Sequence, residues 1–106
     1  MTCRIEEYTE GTRSPFADWF NALDPVTAAR VDRYIRRMES GNFGNAKAVG
    51  QGVSELRIDF GPGFRVYFGM DGKTLVILLG GGDKRRQAAD IAAAIARWQR
   101  YKKAKA

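Results

Sequence analysis

The sequence predicts one α+β domain over residues 1–106, with an antiparallel-dominated sheet packed on helices in the order β-α-α-β-β-β-α. Apolar residues recur at helical spacing near both ends of the chain, whereas the segment from residue 55 to residue 68 alternates with period two. Glycine-containing turns separate the alternating segments. A length of 106 residues with 44% apolar content is typical of a single globular domain.

The first forty residues predict a short strand followed by two helices. Cys3 to Tyr8 has the composition of a short strand. Ser14 can cap a helix that has Pro15 at its first position, and aromatic residues follow at helical spacing. Asp24 repeats this start signal, so we predict a second helix from about Pro25 to Met38.

The remaining sequence predicts a loop, three strands and a last helix. Residues 41–52 contain several glycines and are predicted to form the loop. Two alternating strands flank the turn at 61–63, and Asp71-Gly72 marks a hairpin leading to an apolar central strand at 75–79. Residues 80–82, all glycine, are predicted to end that strand, and Asp83 to cap a helix through about Tyr101. We expect the helices to cover one sheet face and leave the other partly open.

Charge and composition restrict the classes of function. Lys and Arg outnumber Asp and Glu by 18 to 12, which favours a polyanionic partner, either nucleic acid or an acidic protein, although a merely solvated surface has the same balance. Histidine is absent, which excludes His-dependent triads, and a single cysteine excludes an internal disulfide and a Cys/His zinc site. We therefore expect a cytoplasmic protein without metal or cofactor. The longest apolar run is too short to cross a bilayer, so we expect no membrane partner.

Two arginines are the best candidates for contact with phosphate. Arg57 and Arg65 are polar positions in strands whose alternate residues are apolar, so they share one sheet face if the turn at 61–63 pairs the strands. A guanidinium group suits bidentate phosphate contact and can stabilise the charge that develops when a phosphodiester is cleaved. The alternative is that these arginines pair with Glu55 or Asp59 across the hairpin.

Lys84, Arg85 and Arg86 follow the glycine run at the predicted start of the last helix. A helix start with free amide groups attracts anions, and three cations strengthen that field. We therefore expect this segment to attract an anion. The alternative is a flexible joint followed by ordinary surface charge.

The remaining candidates are groups for proton transfer. The possible donors or bases are Lys84, Lys47 and Tyr67, with Tyr101 near the end of the last helix as another. Lys and Tyr titrate near pH 10 in water, so either would need a cationic neighbourhood to lower its pKa. Tyr67 could also stack on an unpaired base, although a strand aromatic is equally typical of cross-strand packing.

Three segments carry a resemblance to a known family. Residues 55–59 (ELRID), 63–68 (GFRVYF) and 79–84 (LGGGDK), in this order and with the flanking helices, resemble the addiction-module killer proteins. These belong to the HigB-like, phage Gp49-like branch of the RelE/ParE superfamily. The resemblance covers nearly the whole chain. Several HigB-like members rely on a histidine, which this chain lacks, whereas some RelE-like enzymes use sets of Lys, Arg and Tyr.

The resemblance implies the toxin of a type II toxin–antitoxin system. Its activity would be a ribosome-dependent, metal-independent cleavage of messenger RNA that inhibits translation. With that activity, the resemblance implies a catalytic set of Arg57, Arg65, Lys84 and Tyr67, and RNA contacts by Lys47, Arg85, Arg86 and Tyr101. The implied partners are a cognate antitoxin of the helix-turn-helix type, the ribosome and messenger RNA. Two alternatives stay open: a ParE-like poison of DNA gyrase, and a non-catalytic module that only binds its antitoxin.

Overall fold

A five-stranded sheet organises the chain, and a computed structural model describes it over residues 2–106. The strands and helices follow in chain order: β1 (Arg4–Glu7), α1 (Pro15–Asn21), α2 (Pro25–Glu39), β2 (Lys47–Gly50), β3 (Val53–Ile58), β4 (Phe64–Asp71), β5 (Leu75–Asp83) and α3 (Gln87–Lys105). A short 3-10 turn, Lys84–Arg86, joins β5 to α3. The sheet order is β1-β5-β4-β3-β2, with β1 parallel to β5 and the other pairs antiparallel. The predicted α+β class is confirmed.

Helices cover both faces of the sheet. On one face α1 and α2 contribute Phe16, Val31 and Ile35 to a core with the strand residues Leu56 and Phe68. On the other face α3 contributes Ala94 and Trp98, which pack with a second set of strand residues (Val53, Tyr67, Ile77, Leu79). The expectation that helices cover one face alone is therefore wrong, because α3 packs on the face that α1 and α2 leave bare. That second face stays open only in part, where Arg57 is exposed. Among residues 2–106, no helix is long and apolar enough to span a membrane.

Both predicted helix starts are confirmed. The Ser14 hydroxyl accepts a hydrogen bond from the Ala17 amide at 3.0 Å, and α1 begins at Pro15. The Asp24 carboxylate accepts from the Thr27 amide at 3.1 Å and from its hydroxyl at 2.6 Å. Each cap satisfies one of the amide groups that a helix start leaves without a backbone partner.

The predicted loop at 41–52 contains a strand, so the sheet has five strands rather than four. Residues 47–50 of this segment form β2, the edge strand that pairs antiparallel with β3. A two-residue turn joins them, with φ of 51° at Gln51 and 86° at Gly52. Positive φ at both positions is typical of a tight hairpin, but glutamine rarely adopts it, so the sequence carries no hairpin signal here.

The glycines at 80–82 do not end the strand, contrary to the prediction, because β5 continues through them to Asp83. Each glycine leaves room for a helix side chain to lie against the sheet. A Cβ atom at Gly81 would overlap the Trp19 ring of α1, and one at Gly82 would overlap the Asp90 carboxylate of α3. Asp83 caps the 3-10 turn by accepting from the Arg85 amide at 2.9 Å, and α3 begins only at Gln87.

The contact between Gly69 and Trp98 supplies a test of the α3 face. A Cβ atom at Gly69 would lie 2.6 Å from Cε3 of Trp98, so Gly69→Ala overpacks this face and is expected to lower the free energy of unfolding by about 1–3 kcal/mol. Urea denaturation measures the change. With Trp98→Leu already present, the same substitution should cost clearly less. Equal cost in both backgrounds would show that α3 does not pack on Gly69.

Candidate functional site

Arg57 and Arg65 lie directly opposite each other on β3 and β4. Directly opposed residues of an antiparallel pair point to the same face, so the predicted register is confirmed. The same pairing places Gly82 of β5 opposite Arg65. These three positions form one row across the sheet, on the face that α3 partly covers.

Three of the predicted catalytic residues line one open cavity. Arg57, Arg65 and Lys84 surround a depression of 390 Å³ beside the turn at 60–63, and Asp59 lies on its wall. Arg57 and Lys84 are exposed, and within residues 2–106 neither takes part in an ion pair. The cavity therefore presents to solvent two positive charges that form no ion pair, outnumbering the one carboxylate on its wall, and this favours an anion such as phosphate.

A buried carboxylate, that of Glu55, holds Arg65 in place. Glu55 is 0% exposed, and its Oε1 lies 3.4 Å from Nε of Arg65, whose side chain is 9% exposed. The distance allows an ion pair, but the alignment does not give a hydrogen bond. Arg65 also donates from Nη1 to the Gly63 carbonyl at 2.9 Å, and Gln87 of α3 donates to Glu55 Oε1 at 2.7 Å. The alternative pairing considered for Arg65 thus occurs, and it fixes the side chain that lines the cavity.

The polar cluster beneath α3 is only partly satisfied. Among the described residues, Glu55 Oε2, Arg65 Nε and the Tyr67 hydroxyl are buried without a hydrogen-bond partner. Most buried polar atoms in folded proteins have a hydrogen-bond partner, so this cluster is unusual for a position under a helix. The sequence did not mark Glu55 as a core position, because its neighbours on the same face of β3 include the exposed Arg57.

Tyr67 lies outside the cavity, which corrects its predicted roles. Its side chain is 1% exposed and packs under α3 in the core formed with Trp98. Burial, reinforced by the charges of Glu55 and Asp90, raises the pKa of the Tyr67 hydroxyl above its ordinary value. A buried phenol that holds its proton this firmly neither stacks on a base nor accepts a proton at neutral pH.

The predicted RNA-binding residues are spread over three places. Tyr101 donates to Asp71 at 2.6 Å at the end of β4 far from Arg65, so it lies apart from the cavity. Lys47 is exposed on the edge strand β2, opposite Glu55. Arg85 and Arg86 border a second cavity of 550 Å³, described below, on the other side of Lys84.

That second cavity opens between α1 and α3. The Trp19 ring and the Asp90 carboxylate line it, together with Gly81, Gly82 and Asp83. Burial raises the pKa of Asp90, and the neighbouring Asp83 charge acts in the same direction, while Arg86 and Arg97 oppose it. The sequence did not single out Trp19 or Asp90, because each looks like an ordinary member of an amphipathic helix.

Comparison with known proteins shows which family the chain belongs to. The model of the family described as Phage derived protein Gp49-like (DUF891) matches residues 18–102, which include every strand but β1 and the whole cavity wall. The chain belongs to this family. The Gp49-like family is associated with toxins of toxin–antitoxin modules, which implies a cognate antitoxin as partner.

A relative from Haemophilus influenzae is 45% identical over 92 residues, covering 86% of this chain and 88% of the relative, and its name is "Uncharacterized protein". This relative adds no activity. Within residues 2–106 of the Gp49-like chain, no group of His, Cys, Asp or Glu side chains is arranged to hold a metal ion.

Removing the buried carboxylate of this Gp49-like protein tests the support of Arg65. Glu55→Ala leaves a buried guanidinium without its counter-charge and is expected to lower the free energy of unfolding by about 3–5 kcal/mol. Glu39→Ala is the matched control, because Glu39 forms an exposed pair with Arg36 at 2.9 Å and should cost less than about 1 kcal/mol. Equal costs in urea denaturation would contradict a structural role for the buried pair.

Proposed function

We propose that the chain is the toxin of a type II toxin–antitoxin system, with a RelE/ParE-type fold, that cleaves messenger RNA in the ribosome. The single observation that carries this proposal is the cavity lined by Arg57, Arg65 and Lys84. Membership of a family associated with such toxins supports it.

The cavity suits a phosphodiester that is cleaved by its own ribose. The 2′-oxygen bonds to phosphorus, the bond from phosphorus to the 5′-oxygen breaks, and the products carry a cyclic 2′,3′-phosphate and a 5′-hydroxyl. Negative charge accumulates on the phosphoryl oxygens, where each well-placed donor is worth about 3–4 kcal/mol. Arg57 and Arg65 supply those donors from neighbouring strands.

Two proton transfers complete this step. Asp59 is the exposed carboxylate on the wall of the same cavity, and we propose that it accepts the proton of the 2′-hydroxyl group. The ammonium group of Lys84 supplies the proton that the leaving 5′-oxygen takes up. No metal ion or histidine enters this scheme, which agrees with a chain that contains no histidine.

The surroundings of the cavity fit the proposed partners. The net charge of +6 favours approach to the ribosome and its messenger RNA in the cytoplasm. Lys47, Arg85 and Arg86 extend the positive surface on either side and would contact flanking phosphates. An acidic or amphipathic segment of a helix-turn-helix antitoxin would cover Arg57 and Lys84 and silence the toxin.

Substitution of the exposed arginine tests the cleavage site. Arg57→Ala removes a phosphate donor without disturbing a buried group, so cleavage after induction is expected to fall about 100-fold or more. Primer extension on cellular transcripts measures it as the loss of new 5′ ends. Arg33→Ala is the matched control, since Arg33 is an exposed arginine on α2, and it should cleave like the wild type.

Three results would contradict this proposal. If folded Arg57→Ala cuts transcripts as much as the wild type does, the cavity takes no part in cleavage. Absence of new 5′ ends for the wild-type protein, together with a loss of plasmid supercoiling, would favour a gyrase poison. Absence of both effects and of any growth defect would favour a module that only binds its antitoxin.

A further inference from the structure

The second cavity lies where the sheet has an open edge. β1 pairs with β5 only from Leu75 to Leu78, so residues 79–83 have a neighbouring strand on the β4 side alone. α1 flanks this open edge on one sheet face and α3 flanks it on the other. The resulting cavity of 550 Å³ is of the size that small planar ligands occupy in proteins.

An aromatic ring and a carboxylate line this cavity. Trp19 is half-buried and lies against Gly81, so its indole forms an apolar wall. Asp90 lies against Gly82. Arg85 and Arg86 are exposed beside them. Arg85 pairs with Asp83, so Arg86 is the cation of this group without an ion pair within residues 2–106. A flat apolar wall, an acceptor and this cation together match the three parts of a nucleotide: the ring faces, the donor edge of the base and the phosphate.

The Asp90 carboxylate lacks a partner within residues 2–106, since it takes part in none of the side-chain hydrogen bonds or ion pairs there. The neighbouring Asp83 differs, because its Oδ2 forms an ion pair with Nη2 of Arg85 at 2.8 Å. An ionised carboxylate only accepts hydrogen bonds, so Asp90 suits a ligand with N–H donors. Its half-buried position strengthens such a bond relative to one made in open solvent.

The two cavities are neighbours along the row of Arg57, Arg65 and Gly82. Gly82 is opposite Arg65, and Asp90 of α3 lies over Gly82, so the carboxylate follows the two arginines across the sheet. Adjacent strands are about 4.8 Å apart. An RNA strand with one phosphate at the arginines therefore reaches the second cavity with an adjacent base.

We propose that the cavity between Trp19 and Asp90 binds a guanine base of the RNA substrate. Guanine presents two adjacent donors, N1–H and the N2 amino group, which match the two oxygens of one carboxylate. Adenine presents an acceptor at N1 in the same position, and the carboxylate repels it. The inference rests on the proposed function, since it assumes that the arginine cavity holds an RNA phosphate.

Nucleoside 5′-monophosphates test the site directly. GMP, IMP and AMP are titrated into the full chain, and the amide signals of Gly82 and Asp90 and the indole N–H signal of Trp19 are followed by NMR. We expect GMP to bind about tenfold or more tighter than AMP, since a bidentate contact discriminates bases by about that factor or more. IMP lacks the N2 amino group and should fall between them.

The variant Asp90→Asn tests whether the carboxylate selects the base. It removes the charge, keeps the size of the side chain and should abolish the preference for GMP over AMP. Asp32→Asn is the matched control, because Asp32 is an exposed acid on α2 that pairs with Arg36, and it should keep the preference. If Asp90→Asn does not fold, the order GMP, IMP, AMP on the wild-type protein still decides the matter.

Failure of this inference is distinguishable from failure of the proposed function. Equal binding of GMP and AMP, the absence of any shift by GMP, or a preference that survives in folded Asp90→Asn would each overturn the guanine site. If the wild-type protein cuts cellular transcripts after induction, the proposed nuclease activity stands whatever the nucleotide titrations show. A GMP preference without any cleavage would instead uphold the guanine site and overturn the nuclease.

Discussion

The buried pair of Glu55 and Arg65 is the interaction on which the rest of the molecule depends. It lies between the sheet and α3, where neither charge reaches water freely. A buried carboxylate is tolerated only with compensation, and here Arg65 and the Gln87 amide provide it. The pair therefore fixes three things together: the position of β3 against β4, the start of α3, and the direction of the guanidinium at the cavity.

This arrangement explains why the two arginines of the row differ. Arg65 is anchored by Glu55 and by the Gly63 carbonyl, so little of its side-chain freedom remains to be lost when an anion binds. Arg57 is exposed and unpaired within the described residues, and it supplies the charge that is not neutralised. A fixed donor beside a solvent-exposed one gives the cavity both a defined geometry and a positive field.

Much of this fold could be predicted from the sequence because its signals are local. Ser14 and Asp24 mark helix starts through caps that need only the next three residues, and the alternation around Arg57 and Arg65 fixes their common face. The rest depends on distant partners. β2 exists because β3 lies beside it, the glycines of β5 are needed because Trp19 and Asp90 lie on them, and Tyr67 is buried because α3 crosses that face. No pattern within a single segment contains this information.

The two edges of the sheet have a consequence for how the molecule behaves among other chains. β1 and β2 are each four residues long; β1 carries charged side chains, and an irregularity interrupts the pairing of β2. Short, charged or irregular edges offer poor templates for strands of other molecules, which is how β-proteins avoid aggregation. The two outermost strands are therefore poor sites for the addition of a strand from another chain.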